Sequence, residues 1–263
     1  MRHLLPAVSG ESHMMKWTEV IEAIMAENKG VASLELLYQQ ASQYRSLPSG
    51  DWQKTLRGVL YREVRRGRYV KVGLGVYALP SAQPPTSAYA QAVQGVSPNA
   101  YLQQMKNVHS AVEGMLLEIG NYLEYQTYTS DRNRAFDGKR LGNLCRLQQV
   151  PPFTYSELTK VAARCDVIWF SNANRPFPKY IYEVENTTNF VNSMHKMYQL
   201  RDIDAHFVLV APEKRRKIFE QMLKNAPFDS VASRYTFRSF EQVAEFYFNC
   251  VQHYELREAF LNQ

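Results

Sequence analysis

Lys179-Tyr-Ile-Tyr-Glu183-Val-Glu185-Asn-Thr-Thr188, read together with Arg164-Cys-Asp166-Val-Ile-Trp-Phe170 upstream, decides the architecture of the C-terminal half of this chain. Both runs are short and rich in β-branched and aromatic residues, the composition of strands. Side chains alternate between the faces of a strand, so Glu183 and Glu185, two residues apart, are expected on one face. If the two runs pair, Asp166, Glu183 and Glu185 converge on one spot. Carboxylates packed that closely repel one another unless a hard divalent cation lies between them.

Working outward, the spacing of apolar residues predicts a helix over 108–120, a strand over 123–129 and then a long polar connection. A short helix over 156–163 leads into strands at 167–170 and 180–184, followed by a helix over 188–201. A buried strand (206–211), a basic helix (212–225), a strand (234–238) and a long helix (240–260) complete the pattern. This order predicts an α/β sandwich around a mixed sheet. No glycine-rich loop follows any strand, which argues against a dinucleotide-binding fold. Trp169 reads as core packing. Asp131-Arg-Asn-Arg134 reads equally as a solvated loop or a phosphate contact, and Pro212-Glu-Lys-Arg-Arg-Lys217 as a solvent face.

Upstream, three helices are expected over 16–27 (with Thr18 as cap), 33–44 and 51–66, followed by Arg68-Tyr-Val-Lys-Val-Gly-Leu-Gly-Val-Tyr-Ala-Leu79 as two strands about Gly73 and Gly75. Three helices and such a hairpin make a winged helix-turn-helix. Pro80-Ser-Ala-Gln-Pro-Pro-Thr-Ser and the small and polar residues after it read as a linker. The expected organisation is a disordered leader (1–13), the winged helix (14–80), a linker (81–104) and the α/β core (105–263).

The 263 residues are 45% hydrophobic and 13% aromatic, which excludes wholesale disorder, and the net charge of +6 suits a polyanionic partner. Cys145, Cys165 and Cys250 lie far apart with no CxxC pair. That spacing speaks against a zinc knuckle or disulfide framework and suits a reducing cytoplasm. No run approaches the roughly 18 apolar residues of a membrane span.

The core half resembles the PD-(D/E)XK nuclease superfamily. The resemblance is carried by Asp166, by Glu183-Val-Glu185 and by His109-Ser-Ala-Val-Glu113-Gly-Met-Leu-Leu-Glu118, where Glu113, with Glu118 as competitor, corresponds to the helical glutamate. The chain departs from the pattern by having Glu185 where the strand lysine is expected, an ExE variant. Lys196, on the following helix, is the candidate replacement. The resemblance implies that Asp166 and Glu183 hold Mg²⁺, with Mn²⁺ able to substitute. It further implies that Glu185, with Glu113, positions a second metal or the attacking water. Lys196 would then stabilise the charge that builds on phosphorus.

The N-terminal half resembles the HARE-type helix-turn-helix through Asp51-Trp-Gln-Lys-Thr-Leu-Arg-Gly-Val-Leu-Tyr-Arg62 and the hairpin after it, which implies DNA binding. Independently of that, Gln53, Lys54, Arg57, Arg62, Arg65, Arg66, Arg68 and Lys71 concentrate on the third helix and hairpin, where such residues reach phosphates and base edges. The combined expectation is a metal-dependent, restriction-type endonuclease acting on double-stranded DNA, where cutting both strands favours a homodimer or transient pairing on the DNA. Two alternatives stay open: a DNA-binding regulator with a decayed site, and a nuclease of RNA or of branched or damaged DNA.

Overall fold

The computed structural model describes residues 14–84, 86–186 and 190–261. The expected leader, and the helix start expected at Thr188, lie outside them. In the N-terminal part, α1 (Trp17–Glu27), β1 (Val31–Ser33), α2 (Leu34–Gln40) and α3 (Trp52–Arg65) precede a hairpin of β2 (Val70–Gly73) and β3 (Val76–Ala78). The Asp51 carboxylate accepts from the Lys54 amide at 2.9 Å and starts α3. Thr18 lies inside the first turn of α1; Lys16 stands at its cap, with its amide donating to Glu19. β3 pairs antiparallel with both β1 and β2, and Ile21, Ile24, Leu37, Leu56 and Leu60 fill the small core beside this sheet.

Next come α4 (Ala88–Val93) and α5 (Pro98–Gln104), then α6 (Val108–Tyr122), β4 (Gln126–Thr129), a small hairpin of β5 (Ala135–Phe136) and β6 (Lys139–Arg140), and α7 (Leu141–Leu144). The chain continues through α8 (Ser156–Ala162), β7 (Val167–Phe170), β8 (Pro178–Val184), α9 (Val191–Tyr198), β9 (His206–Ala211), α10 (Arg216–Met222), β10 (Tyr235–Ser239) and α11 (Phe240–Leu261). The stretch expected as a linker is thus two helices capped by Ser87 and Ser97, with Ala88, Tyr89, Ala92 and Tyr101 buried in the core shared with α11. Its small residues permit tight helix packing, which composition alone does not distinguish from a flexible tether.

Five strands form a mixed sheet in the order β10-β9-β8-β7-β4. β4, β7 and β8 run antiparallel, whereas β8, β9 and β10 are parallel and connect through α9 and α10. Both faces are covered, so β7 is buried at every position. Val167, Trp169, Tyr182 and Val208 face α6 and α11, while Ile168, Phe170, Ile181 and Phe207 face Val161, Met194, Met197 and Phe219 of the opposite helices.

Helix α6 is buried continuously from Ser110 to Asn121. Two glycines let its neighbours approach: a Cβ at Gly114 would lie 2.3 Å from the Phe136 ring, and one at Gly120 would lie 2.6 Å from Thr127 and Trp169. The hairpin tip between β2 and β3 is held at the same helix. Glu118 is fully buried and accepts from the Leu74 amide (2.9 Å), Lys139 Nζ (2.6 Å) and the Tyr247 hydroxyl (2.6 Å). Lys139 also donates to the Val72 carbonyl. A charge pair removed from water this completely needs such saturation, because an unsatisfied member would cost several kcal/mol, on the order of the penalty for burying an ion. The hairpin tip is part of the core: Val72, Gly73 and Leu74 are buried.

Candidate active site

The site grows from the register of β7 and β8. Val167 pairs with Tyr182, so the residue just before β7 falls beside the one after Tyr182. Asp166 and Glu183 therefore neighbour one another, and Asp166 Oδ2 accepts from the Val184 amide at 2.7 Å. Helix α6 delivers the next group. Its cap is Asn107, which accepts from the Ser110 amide, and His109 and Glu113 follow on one face at i and i+4. His109 Nε2 lies 3.4 Å from Glu113 Oε1 and 4.0 Å from Asp166 Oδ2. Asp131 completes the group from just past β4, where Thr129 is the register partner of Val167. Ligating atoms of His109, Glu113, Asp131 and Asp166 all lie within 4.8 Å of one another.

Glu183 is not a member of that set. Its Oε2 accepts from Lys196 Nζ at 2.7 Å, and the same ammonium donates to the Arg164 carbonyl at 2.9 Å. Met194, Met197 and Leu200 point into the core beneath the sheet and leave Lys196 on the side of α9 that reaches β8. Glu185 lies one residue beyond the end of β8 and faces the same helix, α9, as Glu183 does. Its amide donates to the Val210 carbonyl and its carboxylate accepts from the Ser193 hydroxyl. Glu118, the competitor of Glu113, is committed to Lys139.

Burial pushes the Glu113 carboxyl up to about 7, with Asp166 and Asp131 adding to the rise and His109 opposing it. Burial, and then the charge of Asp166, pushes Glu183 up to about 8 despite Lys196. Asp166 is raised as well, chiefly by burial, against the Val184 amide and Lys196. Burial favours neutral His109, yet Glu113 and Asp166 outweigh it and raise the imidazole. Both Glu113 oxygens, Glu183 Oε1 and His109 Nε2 are buried without a hydrogen-bond partner. Unpartnered buried carboxylate oxygens are costly unless a proton or a cation takes them up.

The basic residues expected to face DNA divide in two. Gln53, Lys54 and Arg57 are exposed on the first turns of α3, and Lys54 and Arg57 line a cleft of about 560 Å³ with Tyr61, Arg146 and Arg257. Arg62, Arg65, Arg66 and Arg68 are exposed too, with Arg62 and Arg66 beside Glu63, Arg65 over the Tyr61 ring and Arg68 on Glu22. Lys71 departs from the expectation: it is only 15% exposed, and its ammonium meets Glu255 of α11 at 2.9 Å. The docked hairpin has drawn it inward.

Asp131 and His109 did not stand out in the sequence as ligands. The His109-x-x-x-Glu113 spacing was a usable signal. Asp131 had none, because its closeness to Asp166 depends on the pairing of β4 with β7. Among the described residues, no helix is long and apolar enough to cross a membrane.

No curated protein and no solved structure matches the chain. The family described as Type II restriction enzyme NmeDI C-terminal domain matches residues 90–263, well over half of the sequence. Its span runs from α4 to the C-terminus and takes in every carboxylate of the site above. The chain belongs to this family of Type II restriction enzyme C-terminal domains.

Proposed function

We propose that this protein is a metal-dependent DNA endonuclease of restriction type, built on a PD-(D/E)XK core and guided by a winged-helix reader. The observation that carries the reading is the cluster around Asp166: both oxygens of Glu113 and Oε1 of Glu183 are buried without hydrogen-bond partners, beside an aspartate at the start of a central strand. This donor set fits a divalent cation, which takes oxygen ligands and removes the cost of buried like charges. Asp166 is common to both halves of the site, and Mg²⁺, or Mn²⁺ in its place, would be held there with Glu113, Asp131 or Glu183. When bound, the cation supplies charge that polarises the scissile phosphate and acidifies water.

The chain's own groups do the rest. Lys196, fixed by Glu183 and the Arg164 carbonyl, offers its ammonium to the charge that grows on the phosphate oxygens. Glu185, held by Ser193, would orient the attacking water. The exposed Gln53, Lys54 and Arg57 would read the DNA from the start of α3, with Arg62, Arg65, Arg66 and Arg68 on its phosphates. We assign residues 14–80 to the reader. The packing of α4 and α5 on α11 supports counting them with the nuclease core, and cutting both strands would require two copies on the DNA. Plasmid digestion with Mg²⁺ or Mn²⁺ tests the reading: wild type should nick or cut, and Asp166→Ala should lose at least a hundredfold. Equal activity in the two would end the assignment.

A further inference from the structure

Deepening the metal-site reading, on which it rests, we infer that His109 is itself a ligand, and that the site takes a first-row transition dication such as Mn²⁺ in preference to Mg²⁺. Four observations lead there. First, His109 Nε2 is buried, makes no hydrogen bond, and is directed at Glu113 Oε1 (3.4 Å) and Asp166 Oδ2 (4.0 Å). Second, the role a histidine commonly fills at a helix start is already taken, since Asn107 caps α6. Third, Glu113 is fully buried with neither oxygen hydrogen-bonded, and it sits in the same group. Fourth, the four ligating atoms lie within 4.8 Å of one another. Opposed ligands about 2.0–2.2 Å from an ion are about 4.0–4.4 Å apart, so a few tenths of an ångström of side-chain movement closes the set.

Chemistry then selects the ion. Imidazole nitrogen is a borderline donor that suits transition metals, whereas Mg²⁺ demands hard oxygen ligands and gives up its water reluctantly. Carboxylates alone already lean that way because Mg²⁺ dehydrates reluctantly; one imidazole among three carboxylates widens the preference. Asp131 is part of the set while its Oδ2 also meets Arg134 Nε at 3.0 Å, so its share in holding the ion competes with that guanidinium.

The test uses the full chain with Mn²⁺ as probe. Electron spin-echo spectra of the Mn²⁺-loaded wild type should carry a nitrogen coupling, and His109→Gln should lose it. Calorimetric titration should find Mn²⁺ bound at least ~10-fold more weakly by His109→Gln, since losing even an outer-shell partner costs that much. Mg²⁺ affinity should change less than about threefold, as expected where the lost nitrogen was a poor ligand for it. A wild-type spectrum without nitrogen coupling, or equal weakening for both ions, overturns the inference; the spectrum needs no variant, so it decides even if His109→Gln fails to fold. Asp166→Asn separates this from the broader reading. If that variant binds Mn²⁺ as wild type does, or if wild type binds neither ion, the carboxylate site itself is refuted.

Discussion

Replacing Glu113 by Gln should make the metal-free protein more stable and the enzyme inactive, a pairing that only an unsatisfied functional carboxylate produces. Glu113 is fully buried, its oxygens lack hydrogen bonds, and its carboxyl is pushed from the ordinary 4.5 up to about 7. At about 1.36 kcal/mol per pH unit, ionising it in the folded chain costs about 3 kcal/mol relative to the unfolded chain once the pH exceeds 7. The sign follows from the raised value. Between about pH 4.5 and 7 the folded state keeps a proton that the unfolded state releases, so wild-type stability falls as pH rises through that window. Glutamine does not titrate and escapes the loss. In EDTA at pH 8, Glu113→Gln should therefore gain up to about 3 kcal/mol, or several degrees of melting temperature for a chain of this size. The gain should fade towards pH 5. Mg²⁺ or Mn²⁺ should raise the melting point of wild type and leave the variant's nearly unmoved. Thermal melts at pH 5, 6.5 and 8 with and without metal, run beside a plasmid-cleavage assay, check all of this. A variant no more stable than wild type at pH 8 would refute the view that Glu113 awaits a cation.

Lys196→Met should strip Glu183 of its 2.7 Å partner, lowering stability by about 2–4 kcal/mol in urea titrations, somewhat less than breaking a fully buried pair because the Lys196 side chain is 24% exposed. Adding Glu183→Gln should restore stability while single-turnover cleavage stays at least about a hundredfold down, a loss on the scale of removing one charge-stabilising group. In the proposed DNA reader, Lys54→Ala and Arg57→Ala should each weaken duplex binding and reduce its salt slope by about one. Lys71→Ala should leave that slope unchanged in fluorescence anisotropy, because its ammonium is bound to Glu255. Lys139→Met should cost about 3–5 kcal/mol, since it leaves Glu118 buried without its counter-ion; a melting point within two degrees of wild type would contradict that accounting.

Local pattern was enough to reveal most of the sheet and its class. The strand of Val167–Phe170 and that of His206–Ala211 show in the sequence as continuous apolar runs because both faces of a central strand are covered, and the alternation of helices with such runs implies a mixed, doubly covered sheet. Asp166, Glu183 and Lys196 were legible for the same reason: each lies at a strand end, on a strand or on the helix just after one, so their meeting follows from adjacent pairing. Glu185 follows Val184 at the end of the strand, and its carboxylate meets Ser193 of the same helix that brings Lys196 to Glu183.

What no local pattern could reveal are contacts made across long loops. Asp131 joins Asp166 only because β4 lies beside β7, and Glu113 is separated from Glu118 only by which partners α6 meets when its two glycines let the hairpin of Phe136 and the strands close in. The same holds for the small and polar residues after the Pro- and Ser-rich stretch, which form two helices, and for the glycine hairpin whose tip is buried on Glu118. Amino-acid pattern encodes which face of an element is apolar. Which other element covers that face is a competition among all of them, and only the folded chain decides it.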